Sequence, residues 1–226
     1  MKSILIKFVK LIIGFCFCAL GIVLTINANL GLSPWDVLHE GIYNITGMTM
    51  GKASIAVGTI VVIVNIVLHE NLGWGTIINM VLVGILMDVL MLNHLVPIAN
   101  SFIMGIIMMF LGMFLLGVGC VLYLGSGLGS GPRDGMMVAI QKKTGKSLTL
   151  IRGSMEVFAL IVGYFLGGTV GIGTIISAIG LGYCIDLAFK IFKFDATKVQ
   201  HRYIVDDINY IKKRLSKKTE DEEITC

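Results

Sequence analysis

The sequence predicts an all-α, polytopic transmembrane helix bundle made of two tandem copies of one unit. Each unit has three full helices and one interrupted, re-entrant-like helix. Three observations lead there: composition, the lengths of the apolar blocks, and an internal repeat. Of 226 residues, 56% are hydrophobic and 14% charged, with a mean hydropathy of +0.89. Soluble chains hold about 45–50% apolar and about 25% charged residues. The apolar residues fall in blocks at 11–26, 53–68, 74–92, 102–124, 148–166 and 170–191. Crossing the hydrocarbon core takes about 20 such residues. The two shortest blocks need their polar flanks to finish the crossing.

A fixed offset of 98 relates the two copies. It joins Pro34 to Pro132, Asp36 to Asp134, Thr46-Gly47 to Thr144-Gly145, and Gly84 and Asp88 to Gly182 and Asp186. It also joins Gly73-x-Gly75-Thr76-Ile77-Ile78 to Gly171-x-Gly173-Thr174-Ile175-Ile176. Residues 14–88 against 112–186 share 21 identities in 75 ungapped positions. Chance in so biased a composition gives roughly 6–8. Matched Pro, Asp and Gly exclude coincidence among Ile and Leu. The units span 1–97 and 98–192, with a cytoplasmic tail at 193–226.

The first block follows Lys2, Lys7 and Lys10, a start that resembles a secretory signal. No small-x-small cleavage site follows it, so it is read as a retained helix. Next come residues 27–36, too polar and Gly-rich for a span, with 125–134 as their counterpart. Each reads as an extended stretch followed by a short helix, at 34–45 and 132–143. Pro suits the first helical position because it has no N–H to leave unpaired. Ser33 with Asp36 forms an S-x-x-D capping box, for which Gly131 with Asp134 is a weaker version. Gly47 and Gly145 suit left-handed helix ends.

Non-helical backbone at membrane depth persists only where it is buried in protein or lines a watery cavity. Broken segments in matching halves point to a transporter's binding site. The candidate substrate-binding residues are therefore Pro34, Trp35, Asp36, His39, Pro132, Arg133 and Asp134. For the two aspartates, plain helix capping is the competing reading, at about 0.5–2 kcal/mol each. Arg133 stands where the first copy has Trp35, so the copies differ chemically. His39 and Glu40 lack a partner at metal-ligand spacing and are expected to be solvated at the wet end of the cavity.

The packing candidates are Gly31, Gly75, Thr76, Asp88, Gly129, Gly173, Thr174 and Asp186. Gly75-Thr76 and Gly173-Thr174 open helices where small residues allow close approach. Asp88 and Asp186 are expected at the cytoplasmic helix ends. Arg152 and Glu156, four apart, should pair on one helix face.

Lys and Arg set the orientation. The N-terminus, Lys52, the Lys142-Lys143-Lys146-Arg152 group and the tail should all face the cytoplasm. The His69-Glu70-Asn71 turn and residues 167–171 should lie outside. These assignments agree if both interrupted segments also cross. Each unit then makes four passes, and the copies are parallel; three passes would make them inverted. In the tail, Ile204, Ile208, Ile211 and Leu215 among basic residues predict an amphipathic helix on the inner leaflet. The acidic 220–223 end is expected to be disordered.

The cysteines, Cys16, Cys18, Cys120, Cys184 and Cys226, have no metal or redox spacing, and no metal or cofactor is expected. The net charge of +4 sits at the ends and suggests no nucleic-acid partner; the expected partner is the lipid bilayer. No Walker, His-x-x-x-His, Gly-x-Ser-x-Gly or Gly-x-Gly-Asp element supports an enzyme. The string Gly31-Leu32-Ser33-Pro34-Trp35-Asp36-Val37-Leu38-His39-Glu40-Gly41, with Gly75-Thr76 and Asp88, resembles the YczE/YyaS/YitT-like family of bacterial membrane proteins, over roughly residues 8–190. The resemblance implies a multipass inner-membrane protein and names no substrate. Three functions compete: a small-molecule or ion transporter; a non-transporting regulatory or biogenesis partner acting through its tail; and, with the least behind it, an intramembrane enzyme suggested by the paired aspartates.

Overall fold

A computed structural model describes residues 2–199 and 201–209. Eight α-helices account for most of it: α1 (Lys2–Asn27), α2 (Pro34–Thr46), α3 (Met50–Val67), α4 (Trp74–Leu92), α5 (Phe102–Leu124), α6 (Pro132–Thr144), α7 (Leu148–Phe165) and α8 (Ile172–Ile191). Six of them, all but α2 and α6, are long and apolar enough to cross a membrane. The other two have 13 residues each, or about 20 Å of helix against a hydrocarbon core of about 30 Å.

The core is an antiparallel seam between α1 and α5. Glycines spaced by seven on each helix bring the backbones together. A Cβ on Gly21 would lie 2.6 Å from the Gly112 carbonyl oxygen, and one on Gly119 would lie 2.8 Å from that of Gly14. At the far end of the seam, a Cβ on Gly105 would lie 2.6 Å from the Ala28 carbonyl oxygen. Small residues permit this approach, which maximises dispersion contact where lipid supplies no hydrophobic drive. Phe15, Leu11, Met109 and Met113 fill the space beside it and are fully buried. α4 runs alongside α1 in the same direction, since Leu11 touches the start of α4 at Gly75, and Ile26 shares a cavity wall with Met91 near its end.

These directions correct the expected topology. Ile26 at the end of α1 shares a cavity wall with Thr49 and Met50 at the start of α3. The chain therefore leaves α1 and enters α3 at the same end of the bundle, and residues 27–49 add no crossing. α2 is a short helix that returns to that end, where Asn44 donates a hydrogen bond to the Gly167 carbonyl at 2.7 Å. The equivalent helices α1 and α5, expected to be parallel, are antiparallel. Lys52 consequently sits at the end opposite the basic N-terminus. The His69-Glu70-Asn71 turn, expected opposite the N-terminus, sits at the N-terminal end, where Lys142 binds Glu70 at 2.8 Å.

The interrupted segments hide their backbone against protein, as bilayer depth requires. Gly75 N–H donates to the Leu128 carbonyl at 2.8 Å, and Gly173 N–H to that of Leu30 at 2.7 Å. Gly31 and Gly129 have φ of 107° and 124°, a region that L side chains avoid. After α8, a 3-10 turn (Ala196–Lys198) leads the chain back onto the N-terminal end of the bundle. There Ile204 N–H donates to the Leu72 carbonyl at 2.9 Å, and Trp74 Nε1 donates to Asp207 at 3.0 Å. The remainder of the expected amphipathic tail, with Ile211 and Leu215, and the acidic end lie outside the described residues.

Candidate functional site

The site is built where the starts of α2 and α6 meet. In α2, Ser33 is the N-cap: its Oγ accepts from the Asp36 N–H and donates to Asp36 Oδ2 at 2.5 Å. The other Asp36 oxygen lies 3.3 Å from His39 Nδ1, one turn on. Asp36 is buried, and both its carboxylate oxygens meet side chains of its own helix and N-cap. His39, expected to be solvated, is instead 1% exposed. Its Nε2 lies 3.2 Å from Arg133 Nη2 in α6. Arginine only donates, so Nε2 accepts, and the tautomer that satisfies both contacts carries its proton on Nδ1.

Arg133 also stacks its guanidinium 4.3 Å from the ring centroid of Trp35. Positions 35 and 133, one repeat apart in sequence, are thus in direct contact. Such a cation–π pair contributes about 0.5–2 kcal/mol, more when desolvated. Asp134, next along, takes a 2.9 Å hydrogen bond from the Tyr123 hydroxyl of α5 and makes no ion pair among the described residues. The start of α6 is anchored from behind. Asn65, fully buried in α3, donates to the Pro132 carbonyl at 2.8 Å. Thr76 donates to the Ser130 carbonyl at 2.6 Å.

Two cavities flank this junction. One, of about 190 Å³, has walls that include Cys18, Ser54, Gly58, Met80 and Val83. The other, of about 220 Å³, includes Trp35, Met137, Arg152, Glu156 and Leu181. Leu116, Cys120, Arg133 and Asp134 line both. Of the residues singled out in the sequence, Trp35, Pro132, Arg133 and Asp134 thus reach cavity space, while Pro34, Asp36 and His39 stand behind them. Arg152 and Glu156 form the expected pair, Nε to Oε1 at 3.1 Å, on the wall of the second cavity. Tyr123 and Asn65 escaped the sequence reading. Nothing in the local pattern marks a tyrosine or asparagine whose partner is a short helix elsewhere in the chain.

The packing candidates divide between the copies. Gly75 and Gly173 carry the backbone bonds already described, and Thr76 and Thr174 are buried beside them. Asp88 holds the start of α3, accepting from Thr49 Oγ1 at 2.5 Å and from Gly51 N–H at 2.8 Å. Gly84 and Gly51 bring α3 and α4 into backbone contact there. In the second copy Thr149 replaces Gly51, a Cβ on Gly182 would meet nothing within 4 Å, and Asp186 is exposed. α7 packs instead on α2 and α6. Both aspartates were expected at one cytoplasmic level. The antiparallel arrangement puts Asp88 and Asp186 toward opposite ends.

Among the described residues no three His, Cys, Asp or Glu side chains converge as a metal site. The chain is 37% identical over 173 residues to "Uncharacterized membrane protein YczE" of Bacillus subtilis (strain 168), covering 75% of this chain and 79% of that one. It is 32% identical over 181 residues to an "Uncharacterized protein" of Haemophilus influenzae, covering 80% and 82%. Against "Uncharacterized protein YyaS" of Bacillus subtilis it is 29% identical over 170 residues, covering 73% and 83%. No solved structure matches the chain. With its six apolar helices and a family match across residues 5–190, the chain is a membrane protein that belongs to the Family of unknown function (DUF6198), of which the sequence resemblance to YczE and YyaS was the sign.

Proposed function

We propose that the protein is a small-molecule or ion transporter, not an enzyme, built from two inverted copies of a 98-residue unit. The observation that carries this reading is the junction itself. Two broken segments meet at their helix starts, and cavities on either side converge on Arg133 and Asp134.

Support for the inverted repeat comes from contacts that exchange under the offset of 98. Gly14 packs on Gly119, and Gly112 on Gly21. Leu30 accepts from Gly173, and Leu128 from Gly75. Reciprocal pairs of this kind are the mark of a two-fold axis, and Trp35 with Arg133 lies on it. The cavities exchange too: Cys18, Ser54, Gly58 and Val83 in one correspond to Leu116, Arg152, Glu156 and Leu181 in the other. Alternating access in inverted-repeat transporters exchanges the states of the two halves around a central site. The first copy is closed by the Asp88 cap and the Gly51–Gly84 contact, whereas the second lacks both.

The basic N-terminus, Lys142, Lys143, Lys146 and the tail share one end, which the positive-inside rule assigns to the cytoplasm. Lys52 is the exception. The test is cysteine labelling in sealed, oriented vesicles, on a background with the native cysteines replaced. Cysteine at Lys52 should react with an impermeant maleimide from outside, and at Lys146 only after the membrane is opened. Labelling of both from one side refutes the inverted arrangement.

The alternative, a non-transporting regulatory or biogenesis partner acting through its tail, has one specific observation behind it. Residues 202–207 dock on the bundle through Gly127, Leu72 and Trp74.

A further inference from the structure

We infer that the two-cavity site takes a small organic ammonium ion, held by the Asp134 carboxylate. This deepens the transport reading and rests on it for the identity of the site.

Charge accounting at the junction carries the inference. Five charged side chains surround or line the cavities: Asp36, Arg133, Asp134, Arg152 and Glu156. Arg152 is matched by Glu156 at 3.1 Å. Arg133 is matched by Asp36 through the bridging His39, with contacts of 3.2 and 3.3 Å. Arg133 is thus one cation between two carboxylates, since Asp36 and Asp134 both act on it. One negative charge is left over, and Asp134 makes no ion pair among the described residues and takes one neutral donor, the Tyr123 hydroxyl. A carboxylate inside a membrane bundle is costly unless a cation or several donors meet it. Asp134 lines both cavities, so a cation bound to it is reachable from either cavity.

The walls select the kind of cation. Hard metal ions favour several carboxylate and other oxygen ligands, and among the described residues no three His, Cys, Asp or Glu side chains converge. Met80, Cys18 and Val83 on one side, with Met137, Met155 and Leu181 on the other, are apolar and polarisable. They suit the alkyl groups of an ammonium ion, as thioethers and hydrocarbon do elsewhere. Arg133 already covers the Trp35 ring, so the substrate relies on the carboxylate and these walls rather than on an aromatic cage. Cavities of about 190 and 220 Å³ admit a choline-sized ion.

A free ammonium solute and the headgroup of a phospholipid share this chemistry. Full-length protein, purified in lipid-free detergent, should be titrated with choline chloride, tetramethylammonium chloride, sodium propionate and, separately, phosphatidylcholine in mixed micelles, with thermal unfolding as the readout. The expected result is stabilisation by choline or tetramethylammonium, half-saturating at a concentration on the order of ten-fold higher or more in Asp134→Asn. Asp186→Asn should behave as wild type, and Asp134→Glu, which keeps the charge, should retain binding. Stabilisation by phosphatidylcholine but not by free choline assigns the cation to a lipid headgroup, with the Asp134 contact unchanged. Stabilisation by propionate alone, no response to any ammonium, or equal binding by Asp134→Asn overturns the inference. Where Asp134→Asn does not fold, retention of choline's effect in Asp134→Glu and protection of wild-type Asp134 by choline against a carbodiimide decide instead; modification of Asp134 at an unchanged rate then overturns it. Radiolabelled choline uptake into proteoliposomes separates the two readings. Asp134-dependent binding without uptake overturns transport and leaves the cation site. Uptake of another solute that is unaffected at Asp134 overturns the cation site and leaves transport.

Discussion

Replacing Gly31 by Ala measures how tightly the interrupted segment is held, provided Gly47→Ala is measured beside it. Both glycines have positive φ, 107° and 71°. Forcing an L residue into the left-handed region costs about 1–2 kcal/mol. The surroundings differ. A Cβ at Gly31 would lie 2.5 Å from the Gly171 nitrogen and 2.6 Å from its Cα, whereas at Gly47 nothing lies within 4 Å. The obstacle at Gly31 is backbone, which cannot swing aside as a side chain can. Overpacking of this kind adds about 1–3 kcal/mol. Gly31→Ala should therefore destabilise by about 2–5 kcal/mol and Gly47→Ala by about 1–2 kcal/mol. Equilibrium unfolding in mixed micelles, followed by circular dichroism, reads both values. The proposed two-fold relation adds a constraint: Gly129→Ala, φ 124°, faces the Gly73 Cα at 2.8 Å and should match Gly31→Ala. Equal costs at Gly31 and Gly47 would refute the close backbone contact with Gly171.

Asp88→Ala leaves the Thr49 hydroxyl and the Gly51 N–H without their acceptor, and unfolding should register a loss of about 1–3 kcal/mol. Asp186→Ala, at the equivalent but exposed position, should stay within about 0.5 kcal/mol of wild type. Exchanging the axis residues tests their contact as a double-mutant cycle. Trp35→Arg and Arg133→Trp singly should each destabilise, and the double exchange should recover about 0.5–2 kcal/mol of the sum; strict additivity denies the stacking. Truncation after Phe194 removes the docked tail. Uptake should survive it under the transport reading, and loss of function there with none from Asp134→Asn would favour the tail-acting alternative.

Much of the local architecture was legible in the residues. Helix boundaries followed from apolar block length and from signals that act within a few residues. Pro34 and Pro132 at first helical positions, Ser33 as a cap, and Gly47 and Gly145 as left-handed ends all form the structures their chemistry favours. The offset of 98 was equally plain, because identities recur at it in Pro, Gly and Asp as well as in Ile and Leu. The Arg152–Glu156 pair needed nothing beyond helical spacing.

The direction of the second copy was not legible, and the reason is physical. Whether residues 27–47 cross or return depends on what they pack against, and the charge pattern carried one misleading residue, Lys52. The α1–α5 glycine seam decides the matter, and it is a contact between helices about a hundred residues apart. The same holds at the junction. Composition marks Asp36 and Asp134 as alike, since both follow Pro by two. Tertiary packing separates them: Asp36 turns inward onto Ser33 and His39, whereas Asp134 lines both cavities and takes a hydrogen bond from Tyr123. The sequence by itself determined a string of apolar helices and two Pro-x-Asp helix starts at a fixed offset. Only the fold decided that α1 and α5 run antiparallel, because burial and pairing belong to surfaces that no single segment contains.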